Sequence, residues 1–71
     1  MGDGLRRGTI VEFDEIAGLG AVVDDEGARW PFHCVSIADG SRRIDVGQKT
    51  AFSLGFCTLR REAVRLEKLP A

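Results

Sequence analysis

Apolar and polar positions along this chain fall into short runs separated by turn residues. Gly8–Phe13, "GTIVEF", is rich in β-branched and aromatic residues and predicts a strand. Asp14 and Glu15 open a turn, and Leu19–Val23 predicts a second strand closed by Asp24-Asp25-Glu26-Gly27. Arg29–Cys34, "RWPFHC", alternates, with Trp30, Phe32 and Cys34 to one side and Arg29, Pro31 and His33 to the other. Pro31 has no N–H for a ladder, so its strand should be an edge or carry a bulge. A long polar connection follows, "SIADGSRRIDVGQ", with turn signals at Asp39-Gly40 and Val46-Gly47. Lys49–Leu54 returns to strand with Thr50, Phe52 and Leu54 on one face, and "GFCTLRRE" reads as a loop or hairpin tip. Ala63–Leu69 suits a short helix by propensity. It equally suits a strand with Val64 and Leu66 inward and Arg65 and Glu67 outward. The strand is preferred, because a lone two-turn helix would have to cover a small sheet whose apolar residues already serve one face. Short strands spaced by turns then predict an all-β fold, a five-stranded antiparallel barrel.

Length and composition narrow this further. The 71 residues suffice for one small domain, placed at 8–69 behind a flexible N-terminal segment 1–7. A hydrophobic content of 44% is that of a folded globule. No apolar run approaches the ~20 residues of a membrane helix. "MGDGLRRG" lacks the apolar centre of a signal peptide, and Arg6 stands where a myristoylation signal carries serine or threonine. A cytoplasmic chain with no membrane partner is expected. Cys34 and Cys57 do not form a C-x-x-C pair. With His33 they could give three metal ligands, one short of an ordinary structural zinc site. No metal and no cofactor are expected, and the thiols should be reduced. Paired carboxylates or a nucleophile–base spacing that would suggest an enzyme are not visible. The net charge of −1, from 10 basic and 11 acidic side chains, restricts any nucleic-acid contact to a locally basic face.

Within Ala17–Val23, "AGLGAVV", Gly18 and Gly20 interrupt an apparent buried strand, although glycine weakens strands. The run "GTIVEF…AGLGAVV…WPFHCVSIADGSRRIDVGQKTAFSL…AVRLEKL" resembles the bacterial cold-shock proteins from Gly8 to Leu69. Ala17–Val22 stands where that family has K-G-F-G-F-[IV], and Trp30–Cys34 where it has V-F-V-H-F. The resemblance implies an OB-type barrel that binds single-stranded RNA or DNA. It also implies that the glycines let a twisted strand present its flanking side chains to bases. The residues alone suggest barrel curvature as their main role.

The departures from the family pattern carry the functional reading. Glu12 occupies the place of an exposed tryptophan, Leu19 and Ala21 those of two phenylalanines, Pro31 and Cys34 those flanking His33, and Ser41 that of a loop aromatic. Val11 and Ala17 replace two phosphate-meeting lysines. Loss of about five stacking contacts at ~1 kcal/mol each removes three to four decades of affinity. The resemblance therefore implies weak binding of single-stranded RNA or DNA, with Phe13, Leu19, Pro31, His33, Arg42, Arg43, Arg60 and Arg65 as the candidate contacts. Phe13 could be half-exposed on that face or could plug the barrel rim. His33 could meet a ligand or simply be solvated. The arginines suit phosphate contact, or are solvated charges near Asp39, Asp45 and Glu62. Trp30 should be core. The alternative is a docking face for a protein partner or a second copy, formed by Val11, Leu19, Ala21, Pro31 and Val35.

Overall fold

Two β-bulges decide which side chains reach the interior of this protein. The structure, a computed structural model, describes residues 5–57 and 60–70, apart from the side chains of Phe56, Cys57 and Arg60. Its strands are β1 (Arg6–Asp14), β2 (Leu19–Asp24), β3 (Arg29–His33), β4 (Lys49–Cys57) and β5 (Arg60–Lys68), with a 3-10 turn at Cys34–Ser36. All neighbouring strands are antiparallel, in the order β3-β2-β1-β4-β5. The barrel closes where β3 meets β5. There Ile37 bridges Leu66, and the Ala38 N–H donates to the Leu66 carbonyl at 2.8 Å.

The first bulge is at Val11. Ile10 pairs with Val22 and Glu12 pairs with Ala21, so β1 carries one residue more than β2 over this stretch. An extra residue reverses the side-chain alternation beyond it. Ile10 is therefore buried, Glu12 faces outward, and Phe13 turns toward the core. The second bulge sets Phe52 opposite both Arg65 and Leu66, since Ala51 pairs with Glu67 and Ser53 with Val64. Arg65 takes a left-handed φ of 55° to allow it. Ala63 and Leu66 are thus the inward residues of β5, and Val64 is only half-buried. This corrects the simple alternation expected for Ala63–Leu69, although the segment is strand. The supposed tip "GFCTLRRE" is also largely strand, with Cys57 paired to Arg60. β1 begins at Arg6, paired with Phe52.

The core gathers Ile10, Val22, Phe32, Ile37, Ile44, Phe52, Ala63 and Leu66. Each large apolar side chain fully removed from water contributes about 1.5–3 kcal/mol. Ile37 and Ile44 come from the connection that looked polar throughout, so that loop is anchored at two points. Trp30 is half-buried at one end of the barrel and packs against this core. Its indole Nε1–H donates to Asp24 Oδ2 at 2.9 Å, and the Arg6 guanidinium carbon lies 5.8 Å from its ring centroid.

Candidate nucleic-acid interface

The register of β1, β2 and β3 lays out the outer face as rows. Glu12, Ala21 and Pro31 form one row across the three strands, and Asp14, Leu19 and His33 form the next. Val23 and Arg29 continue the pattern on the other side. A shallow groove of about 440 Å³ runs over this face, lined in part by Glu12, Asp14, Leu19, Ala21, Arg29 and Pro31. Its floor is apolar because the outward positions of β2 and β3 here are Leu19, Ala21 and Pro31, while the bulge at Val11 turns Phe13 inward.

The inner row beneath it is Phe13, Gly20 and Phe32. The two rings lean together over the glycine, centroids 6.0 Å apart and only 4° from parallel, an offset stack. A Cβ on Gly20 would lie 2.5 Å from Phe32 Cζ and 2.6 Å from the Glu12 carbonyl oxygen. This is the reason for Gly20: a ring lies across its Cα. Gly18 has a different reason. It sits at φ +71° in the turn after β1, and a Cβ there would lie 2.9 Å from Cys34 Sγ.

Charges on the face are mostly paired. Arg29 Nη2 donates to Glu12 Oε1 across the strands, with both side chains more than half exposed. Asp14 Oδ1 accepts the N–H groups of Ile16 and Ala17 at 3.0 and 3.1 Å, which shapes the β1–β2 turn. Arg43 Nε lies 2.8 Å from Glu15 Oε2, tying the long connection to that same turn. Asp39 is held by the Ser41 N–H at 2.8 Å and by Lys68 Nζ at 3.0 Å. The Ser41 N–H, then the Ser41 hydroxyl, then Lys68 bring its carboxyl down to about 2.

Of the residues expected to meet nucleic acid, Leu19, Pro31 and His33 share the outer face, with Leu19 47% exposed and His33 exposed beside it. Phe13 is not on that face; it plugs the interior end, stacked on Phe32. Arg43 is drawn to Glu15, an acid the sequence did not single out as its partner. Arg42 is exposed at φ 60° in the connection, and Arg65 is exposed in the β5 bulge. Neither has a carboxylate partner among the described residues. The side chain of Arg60 and the thiol of Cys57 lie outside the described part. Sequence reasoning missed the Glu12–Arg29 pair, whose members are 17 residues apart and meet only through the bulged register. It also missed how far the β1–β2 turn and the 3-10 turn converge. The Cys34 N–H donates to the Gly18 carbonyl at 2.7 Å, and Ile16 and Val35, on those two turns, are both strongly exposed.

Among the described residues, no His, Cys, Asp and Glu cluster is placed to hold a metal, and no helix is long and apolar enough to cross a membrane. No family model and no curated protein matches the chain. A solved Drosophila chain, Unr CSD456, does match, with 33% identity and a TM-score of 0.79. The match covers 97% of this chain and 28% of that one. The barrel is therefore a cold-shock-domain OB-fold. The likeness points to cold-shock domains in general rather than to the bacterial proteins in particular.

Proposed function

We propose that this chain is a module that binds single-stranded RNA or DNA weakly, acting in the cytoplasm by binding and not by catalysis. The observation that carries this reading is the groove over β1–β3 on a cold-shock-domain barrel, with His33 and Arg29 exposed on the same outer face. Arg42 and Arg65 add guanidinium groups free to meet phosphate. Weakness follows from what lines the groove. A base stacked on an aromatic ring gains ~1–3 kcal/mol, and here Phe13 and Phe32 spend their faces on one another.

Fluorescence anisotropy with labelled hexathymidine and hexauridine tests this. Binding should be detected at low salt with ~100 µM protein and should fall steeply as salt rises, because phosphate contacts release counterions. Absence of signal at low salt sets the reading aside. A second reading, docking of a protein partner or a second copy, rests on Ile16, Leu19 and Val35 exposed near one end of the barrel. Failure of the oligonucleotides together with concentration-dependent self-association would favour it.

A further inference from the structure

Where the cold-shock pattern carries an exposed tryptophan this groove has Glu12, held side by side with the Arg29 guanidinium, and that changes what it can recognise. Glu12 is 63% exposed and Arg29 58%, so both present free hydrogen-bonding capacity beside the contact they share. A carboxylate only accepts and a guanidinium only donates. Together they form an edge of adjacent acceptors and donors above a floor of Ala21 and Pro31. Ala21 and Pro31 give that floor an apolar surface for a heterocycle to lie against.

Unstacked bases in single strands are read by hydrogen bonds along their pairing edges. Adenine and cytosine each offer one donor group there, an amine, and uracil and thymine one ring N–H. Guanine alone places two donor groups, N1–H and the N2 amine, next to each other, with the O6 acceptor beside them. A carboxylate can take both donors in charge-assisted bonds, leaving O6 to a cation. The Glu12–Arg29 pair matches that order. Because Arg29 balances Glu12, and Asp14 is engaged by two backbone N–H groups, the carboxylates repel an approaching phosphodiester less than free ones would.

We propose that the outer groove is a guanine subsite for single-stranded nucleic acid, in which Glu12 reads N1–H and N2 and Arg29 meets O6. This rests on the nucleic-acid reading above. Anisotropy titrations would use thymine hexamers carrying one central guanine, inosine, adenine or cytosine. The guanine hexamer should bind about five- to tenfold more tightly than the adenine and cytosine hexamers, the low end for a bidentate contact on an exposed surface. Inosine, which lacks the N2 amine, should lose most of that advantage in the unaltered protein. Glu12→Gln should level the four hexamers without changing the melting temperature by more than a few degrees. If all four bind the unaltered protein equally, or if guanine preference survives Glu12→Gln, the subsite is overturned while the nucleic-acid reading stands. If none binds, both fall.

Discussion

At Gly20 the Phe32 ring and the Glu12 carbonyl leave no room for a Cβ. Barrel curvature was the role expected of this glycine, and the close approach of ring and carbonyl is a further reason for it. Gly20→Ala should therefore cost about 1–3 kcal/mol, the range for an overpacked interior. In a domain of this size that is ~4–8 °C of melting temperature per kcal/mol, read by thermal denaturation. The loss should shrink in a Phe32→Leu background, because the obstructing ring is gone. A Gly20→Ala protein as stable as its parent would contradict the close approach. The candidate site was partly legible at this scale. His33 and Pro31 were placed outward by alternation and Leu19 by the family resemblance, and the register agrees, since Leu19 and His33 fall opposite one another and no bulge intervenes between β2 and β3. Phe13 was left undecided for the opposite reason: Val11, an ordinary strand residue, is the bulge that reverses its direction.

Strand number and order of elements were readable because turn residues punctuate each run and the apolar residues alternate within it. The bulges were not readable, since neither carries a glycine at the extra residue. Arg65 sits at φ 55° in the middle of β5, a conformation few side chains accept. Valine normally favours exposed strand positions. Here Arg65→Val should instead destabilise by roughly 1–2 kcal/mol, because a β-branched residue resists the left-handed region. Arg65→Gly should be tolerated far better, and urea denaturation of the two variants distinguishes them. Equal midpoints would mean that the bulge is not where the register places it. The connection 37–48 carries a related lesson. Its composition is polar, yet Ile37 and Ile44 are buried and hold it on the barrel.

For the molecule as a whole, the main buried charge lies away from the groove. Asp24 accepts the Trp30 indole N–H and the Ala28 and Glu26 N–H groups, with Arg6 Nη1 at 3.2 Å. The Trp30 bond contributes most to holding its carboxyl below the ordinary 3.8, followed by that from Ala28; burial opposes them, and Glu26 and Arg6 add to them. A carboxylate lowered on folding stabilises the fold above its unfolded value and loses that contribution as pH falls through the folded value. Stability should be level above about pH 5 and decline below 3.8, with Asp39 adding to the loss down to about 2. Asp24→Asn should melt lower than the parent at neutral pH, and the gap should narrow as the solution is acidified below 3.8. A gap unchanged by acid would remove Asp24 from this role. The same contact makes the protein its own optical probe. Its sole tryptophan faces the barrel interior against a carboxylate, while nucleobases would lie on the opposite face. Emission should hence shift when Asp24 takes up a proton and stay nearly constant when an oligonucleotide is added, so a quenching titration would miss binding that a labelled strand reveals.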